Sequence, residues 1–504
     1  MTYLFNNLIG EFVAPLFLSY RLNNQFTTYQ NYTKHKGLYY TFELNIKLNK
    51  MEYNEFLETK RHSIGNFGFK ANYTPEIAFD FQSFIIEKAI QKGRIGIFAD
   101  TGLGKTLIQI SIAKNIIQHT NKKVLILTPL AVAFQFILEA EKLGIDDIEY
   151  SKDGKHTKKI VICNYERLHY FNESDFVGVI CDESSILKNF DGKIKNQITS
   201  FVKKIPYRFL STATPSPNDF IELGTSSEAL GYMGYMDMLG KFFKNNQNDT
   251  GGRNNIGEKF YLKPHAEKDF FAWVNQWAIM VKMPSDLGFS NDRYRLPELI
   301  VNRHIVENQS MIDVQGQIQM FTPIAKSMTE VRHEQKQTEE KRCEKAIELA
   351  ANKTSVYWCN TNNESSILKH SDSEAVEIIG SQSIDKKEEI LLAFAQGEIK
   401  RLITKAKMTS MGLNWQHCNH SVFFPTWSYE QYYQAVRRFW RFGQENDVTI
   451  DMVISDGQTR VIEALEQKTA KAIELHKNLT ENVNRSFKNK VKEFNKEIIK
   501  PKFI

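Results

Sequence analysis

Cysteine is scarce: the 504 residues contain five, Cys163, Cys181, Cys343, Cys359 and Cys418. They are scattered with no paired spacing, which excludes a disulfide framework or a zinc ribbon and suits a reducing, cytoplasmic compartment. His417-Cys418-Asn419-His420 is not read as a metal site, because adjacent residues on a strand point to opposite faces and no second ligand pair stands nearby. Long apolar runs are missing as well, and none approaches the length a membrane span needs. The patch Phe12 to Leu18 has Glu11 beside it, Pro15 inside it and no basic segment before it, so a signal peptide is not expected. Nor is charge of one sign in large excess. With 65 Lys and Arg against 59 Asp and Glu, the net charge is +6, which permits a polyanionic partner without demanding one.

What is present is an ordinary globular composition, 42% hydrophobic and 25% charged, over a length that calls for two or three domains. Residues 1–50 are aromatic and Asn-rich without a clear period. They read either as a small β-rich addition or as sequence upstream of a true start at Met51.

The rest of the chain is organised around Gly96-Ile97-Phe98-Ala99-Asp100-Thr101-Gly102-Leu103-Gly104-Lys105-Thr106. A buried strand breaks into a glycine-containing loop and re-enters a helix whose apolar positions run from Leu107 to Ile117 at helical spacing. Backbone N–H groups of such a loop, with the positive end of the helix, form a donor cluster for β- and γ-phosphates. Thr101, Gly102, Leu103 and Gly104 supply the cradle, Lys105 a point charge, and the Thr106 hydroxyl a position for Mg2+. The first loop position is Ala99 where the strict pattern has glycine. Upstream, Gln82 carries an amide able to donate to and accept from an adenine edge.

Short apolar runs follow at Val124 to Leu127, Ile160 to Cys163, Val177 to Cys181 and Phe209 to Ser211, separated by helical or loop stretches. Continuous apolar strands alternating with helices indicate an α/β fold with a parallel sheet covered on both faces. The third run ends in Asp182-Glu183, two carboxylates at the C-terminal end of a buried strand, where they are costly without a cation. Asp182 is placed to hold Mg2+ and Glu183 to polarise the attacking water. Ser211-Thr212-Ala213-Thr214-Pro215 brings hydroxyls that can bond these carboxylates.

Residues 224–297 break the rhythm and read as an insertion between two lobes. Its aromatics (Phe260, Tyr261, Phe270, Phe271, Trp273, Trp277) form either a small core or a surface that stacks on unpaired bases. A second lobe starts at Leu296-Pro297-Glu298, with a long helical pattern from Val314 to Ala351 and strands at Ser355 to Cys359, Arg401 to Thr404 and Ser421 to Phe424. It carries Thr409-Ser410-Met411-Gly412-Leu413-Asn414 and Gln434-Ala435-Val436-Arg437-Arg438-Phe439-Trp440-Arg441-Phe442-Gly443-Gln444. Arg438 and Arg441, three apart, share one face if the segment is helical. A nucleotide held by the other lobe explains two such cations, although a solvated basic face or a contact with nucleic-acid phosphates explains them equally well. Residues 461–504 read as a solvated helical tail.

Taken together and in order, Gln82, Ala99 to Thr106, Thr128-Pro129, Asn164-Tyr165-Glu166, Asp182 to Ser185, Ser211 to Pro215, Thr409 to Asn414 and Gln434 to Gln444 resemble the motifs of superfamily 2 helicases of the DEAD/DEAH-like kind. Gly412-Leu413-Asn414 and Gly443-Gln444 look most like the Swi/Snf-type DNA translocases and their phage-encoded relatives. Two departures stand out: Arg437 where that family usually has glycine, and Asp-Glu-Ser-Ser for the commoner Asp-Glu-Ala-His. The resemblance implies two tandem RecA-like lobes (residues 51–223 and 298–460) with ATP and Mg2+ between them and DNA, duplex rather than single-stranded, across both. It also implies Gln434, Arg438 and Arg441 at the nucleotide, with Thr128, Ser211, Thr212, Thr214 and Thr409 coupling the site to nucleic acid. A motor subunit or nucleotide-driven clamp inside a larger replication, recombination or defence complex is the competing expectation.

Overall fold

The computed structural model describes residues 65–129, 132–188, 192–216, 219–245, 260–292, 294–308, 328–406, 408, 414–426 and 428–483. Residues 1–50, Met51 and Thr409 to Leu413 lie outside them.

Lobe 1 is a seven-stranded sheet in the order β3-β4-β2-β5-β6-β1-β9. Its strands are β1 (Arg94–Ala99), β2 (Lys123–Thr128), β3 (Ile148–Tyr150), β4 (Ile160–Asn164), β5 (Phe176–Asp182), β6 (Tyr207–Ser211) and β9 (Ala278–Val281), and every pairing is parallel. Helices α1 (Asp80–Lys92), α2 (Lys105–Thr120) and α3 (Ala133–Lys142) bury apolar residues in one core layer. Helix α4 (Lys193–Val202) lies between β5 and β6, and α5 (Leu223–Leu230), α6 (Tyr235–Phe242) and α7 (Glu267–Trp277) lie between β6 and β9; all four contribute to the second layer. Burial on both faces is why these strands read as unbroken apolar runs.

The segment 224–297 is therefore not an insertion standing between lobes. Its strand β9 pairs with β1 from Gly96↔Ala278 to Ala99↔Val281, and Phe270, Phe271, Trp273 and Trp277 are buried in the lobe 1 core. A short antiparallel pair, β7 (Phe243–Asn245) with β8 (Phe260–Leu262), packs Phe243, Phe260 and Leu262 against the same core. The aromatic run looked separable because β9 is only four residues long and follows a helix without a loop.

Lobe 2 is a six-stranded parallel sheet in the order β10-β15-β14-β11-β13-β12. Its strands are β10 (Leu299–Val306), β11 (Ser355–Cys359), β12 (Ala375–Glu377), β13 (Arg401–Lys405), β14 (His420–Phe423) and β15 (Val448–Ser455). The long helical pattern resolves into α8 (Met328–Gln337) and α9 (Glu339–Ala350), broken at Thr338, with residues 309–327 outside the described part. Helices α10 (Asn362–Ser371), α11 (Ile384–Ala395) and α12 (Tyr429–Val436) complete the covering layers.

The tail is corrected too. Helix α13 (Thr459–Val483) is 25 residues long, about 37 Å at 1.5 Å per residue. Ile462 and Leu465 near its start are buried in the lobe 2 core, whereas Leu479 near its end is buried in the lobe 1 core, where the helix packs on α7 and β9. It braces one lobe against the other.

Candidate functional site at the lobe interface

Strand β1 delivers its chain into the loop Asp100 to Gly104, and the backbone N–H of Asp100 bonds the carbonyl of Val281 at the end of β9 at 2.8 Å. Two glycines make the loop possible. Gly102 has φ +86°, and a Cβ there would lie 2.9 Å from the backbone nitrogen of Phe442 in lobe 2. Gly104 has φ +77°, and its Cβ would meet the Gln82 amide nitrogen at 2.2 Å. Both take the left-handed conformation that side chains disfavour.

Gln82 is buried; its Oε1 accepts from the Phe79 N–H (2.9 Å) and its Nε2 donates to the Leu103 carbonyl (3.0 Å). The amide thus ties α1 to the glycine loop. The Lys105 ammonium donates back to the carbonyls of Ala99 (3.1 Å) and Asp100 (3.3 Å). Burial lowers the Lys105 pKa, opposed by Glu183, Asp182 and Asp100. Thr106 is half-buried in the first turn of α2.

Asp182 ends β5. One carboxylate oxygen accepts from Gln109 on α2 (2.7 Å) and the other from the Thr128 hydroxyl (3.4 Å). Burial and the neighbouring Glu183 push its pKa up. Thr128 is fully buried, so it acts on Asp182 from beneath and is out of reach of a nucleic-acid backbone. Glu183 has φ +47°, a conformation costing a non-glycine residue about 1–3 kcal/mol that persists where the surroundings hold it in place. Its carboxylate accepts from Thr212 (3.2 Å), whose hydroxyl in turn accepts from the Thr214 N–H (3.1 Å). Thr212 therefore joins the strand ends, while the hydroxyls of Ser211 and Thr214 are buried without a partner.

Lobe 2 approaches with the segment after α12. That helix ends at Val436, so Arg438 and Arg441 do not share a helical face as the spacing suggested. The chain instead tightens into i→i+3 turns, with the Arg438 N–H on Ala435 and that of Phe439 on Val436. Both arginines still enter the cleft. Burial lowers the Arg438 pKa to about 10 against the pull of Glu183 and Asp182. Burial, Arg438 and Arg437 bring that of Arg441 to about 10, and its Nε is buried with no partner. Gln434 lies half-buried in α12.

Four residues that the sequence reading passed over complete the interface. Gln109 orients Asp182. Arg437 ion-pairs with Asp100 at 2.6 Å, and the Tyr433 hydroxyl donates to the same carboxylate. The Tyr294 hydroxyl donates to the Thr101 carbonyl (3.1 Å), and its ring stacks on Phe442, centroids 5.4 Å apart. Only Arg437 had a signal in the sequence, as a departure from glycine.

An anion fits this cleft. Arg441 interacts with both Lys105 and Arg438 and has an unmet buried donor, and the loop supplies backbone N–H groups at the start of α2. Thr106 and Asp182 are oxygen donors of the hard kind that suit Mg2+.

A model described as the SNF2-related domain matches residues 82–226, and one described as the helicase conserved C-terminal domain matches residues 338–443. These matches support neither a DEAD-box nor a phage assignment. No curated protein matches the chain. Among solved structures, Dbp5 of S. cerevisiae bound to RNA and ADP BeF3 is 11% identical, with 79% of this chain and 93% of that chain covered at a TM-score of 0.49. The Sulfolobus solfataricus SWI2/SNF2 ATPase core in complex with dsDNA is 17% identical, with 84% of this chain and 97% of that chain covered at a TM-score of 0.37. Two matched domains in this order, carried on two parallel-sheet lobes, place the chain in the Snf2-type branch of helicase superfamily 2, as a nucleic-acid-stimulated ATPase.

Proposed function

We propose that the chain is a DNA translocase that hydrolyses ATP between its lobes and moves along duplex DNA. The observation that carries this reading is the meeting of Lys105, Asp182 and Glu183 from lobe 1 with Arg438 and Arg441 from lobe 2 around one cleft. Lys105 and the loop N–H groups bind the ground-state phosphates. Glu183, held by Thr212 at 3.2 Å, accepts a proton from the attacking water. Arg441, with Arg438 beside it, stabilises charge that develops on the transferred phosphoryl group, as an arginine finger does. Mg2+, held by Thr106 and Asp182, would supply charge neutralisation between phosphate oxygens. Because the machinery is divided between lobes, turnover demands closure, and release reopens the cleft; differential binding of the two states to a nucleic-acid backbone turns this cycle into movement.

The duplex is favoured because four of the six aromatics that could have stacked on unpaired bases, Phe270, Phe271, Trp273 and Trp277, are buried in the lobe 1 core, while Phe260 and Tyr261 are half-buried. Five buried, unpaired cysteines suit a reducing compartment. Among the described residues no helix is long and apolar enough to cross a membrane. The test is a pair of assays on one preparation: triplex displacement for duplex tracking and labelled-strand release from a forked duplex, with ATPase rates alongside. Triplex displacement with DNA-stimulated turnover is expected. Strand release without triplex displacement overturns the translocase, and turnover only with an added partner makes the chain a motor subunit.

A further inference from the structure

Arg437 occupies the position where glycine would let the chain pass the phosphate loop without touching it. Here its guanidinium crosses from lobe 2 into that loop. Nη2 reaches the Asp100 carboxylate at 2.6 Å and the Thr101 carbonyl at 3.3 Å, Nε reaches the Thr101 hydroxyl at 2.6 Å, and Nη1 turns back to the Trp440 carbonyl at 3.2 Å. The side chains of Arg437 and Asp100 are each 4% exposed. Asp100 is also held by its neighbours: its Oδ1 accepts from the Thr101 N–H at 2.7 Å and from the Tyr433 hydroxyl. The guanidinium lies 5.1 Å from the Trp440 ring centroid and 5.8 Å from that of Tyr433, on both of which it can rest as a cation over a π-face.

Burial opposes the charge on Asp100, yet Arg437, the Tyr433 hydroxyl and Lys105 hold its pKa below the usual carboxylate value. Burial opposes the Arg437 charge as well, and Asp100 with Tyr433 and Tyr294 outweighs it. Both partners therefore stay ionised, and the contact is a buried, multiply hydrogen-bonded ion pair of the directional kind that fixes geometry. Of the residues assigned to phosphate it engages Thr101, whose hydroxyl and carbonyl meet Arg437 and whose N–H meets Asp100; Gly102 to Thr106 lie outside the pair. What it fixes is plain from the chain: Arg438 is the next residue and Arg441 lies one turn further, both on the segment that this pair pins to lobe 1.

We propose that the Arg437–Asp100 pair is a latch between the lobes that aims Arg438 and Arg441 at the phosphate loop. Arg437 is thus a positioning residue, acting through the two arginines that follow it. The inference rests on the ATPase reading of the cleft. Misaiming a reacting group by about 1 Å costs on the order of 10²-fold in rate, whereas the Lys105 ammonium is held by the Ala99 and Asp100 carbonyls rather than by Arg437.

The experiment compares Arg437→Gly, Arg437→Lys, Asp100→Asn and the Arg437→Gly/Asp100→Asn double variant with Arg441→Ala, in DNA-stimulated steady-state kinetics. The expected result is a fall in kcat of about 10²-fold in Arg437→Gly, with KM for ATP changed less than about threefold, and a double variant no worse than either single one, as residues acting as a unit behave. Arg437→Lys keeps the charge but not the fork to Asp100 and Thr101, and falls between. A second readout is energy transfer between dyes on Lys122→Cys and Glu398→Cys, both exposed, one in each lobe; the five native cysteines are buried. Lower transfer in Arg437→Gly than in the parent supports the latch. Loss of turnover in Arg441→Ala with normal kcat and unchanged transfer in Arg437→Gly and Arg437→Lys overturns the latch alone. Normal turnover in Arg441→Ala overturns the ATPase reading beneath it.

Discussion

The brace formed by α13 makes a quantitative claim about a single methyl-rich side chain. Leu479 is 1% exposed in the lobe 1 core, whereas Ile473 on the same helix is 49% exposed. Truncating a fully buried leucine to alanine costs about 3–5 kcal/mol from lost transfer free energy and the cavity left behind; at an exposed position the change stays within about 0.5 kcal/mol. If the end of α13 docks on α7 and β9 as described, most of that cost falls on the docking equilibrium, because the start of the helix has its own anchors, Ile462 and Leu465, in lobe 2. Hydrogen exchange followed by mass spectrometry reads this locally. Since about 1.4 kcal/mol is a factor of ten, amides around residues 470–483 should exchange about 100-fold faster or more in Leu479→Ala, while those around 460–468 change little. Ile473→Ala is the control and should match the parent. Equal protection in Leu479→Ala and Ile473→Ala would refute the brace and return this helix to solvent.

Three further outcomes are expected. Lys105→Ala should lose nucleotide affinity and turnover together, whereas Glu183→Gln should keep ATP bound and lose about 10²- to 10⁴-fold in hydrolysis; near-normal turnover in the latter removes Glu183 from the base role. Gly102→Ala should weaken nucleotide binding and lobe contact, because its Cβ would lie 2.9 Å from the Phe442 nitrogen at φ +86°, while Gly144→Ala, at φ +66° with nothing within 4 Å, carries only about 1–2 kcal/mol of backbone strain and should bind nucleotide normally in the same titration. In lobe 2, Asp451 is opposed by burial but accepts from His420 (2.8 Å), His304 (3.0 Å) and Asn302 (2.9 Å), which hold its pKa well below the usual carboxylate value. A depressed acid stabilises the fold above its unfolded pKa, about 3.9, and that stability is lost as pH falls through the folded value. Asp451→Asn should therefore destabilise lobe 2 at neutral pH by about 1.5–3 kcal/mol and flatten the acid side of its stability profile, as thermal unfolding against pH would show.

The strands nearest the chemistry were legible because each is a continuous apolar run buried on both faces, and the structure extends them by a residue or two: Ile160 to Cys163 becomes Ile160–Asn164, and Val177 to Cys181 becomes Phe176–Asp182. Lobe 1 strands that were missed are short. β3 and β9 have three and four residues, too few for a period to show, and β9 is recognised only by its pairing with β1 across about 180 residues of chain. At the site, Lys105, Asp182, Glu183, Arg438 and Arg441 could be found because loop and strand-end chemistry demands those residue types. Gln109, Tyr294 and Tyr433 could not, since a glutamine or tyrosine inside a helix or linker carries no local mark of the carboxylate or carbonyl it will meet. The exposed-tail reading of α13 failed for a related reason: its charged residues outnumber its buried ones, and two small apolar anchors at opposite ends bind different lobes.

That last arrangement bears on how the chain is made. Lobe 1 closes its sheet with Val281, yet one piece of its core, Leu479, is encoded almost 200 residues later, after the whole of lobe 2. At about 5–20 residues per second of synthesis, the nascent first lobe waits on the order of 10–40 s with the seat for that leucine uncovered beside α7 and β9. During this interval the part of α7 and β9 on which the helix packs stays uncovered, the kind of surface that holding chaperones grip and that stalled or truncated chains use to aggregate. Emergence of α13 from the ribosome both finishes the first lobe and ties it to the second, so a chain cut short between Ser455 and Leu479 leaves two folded sheets without the strut between them.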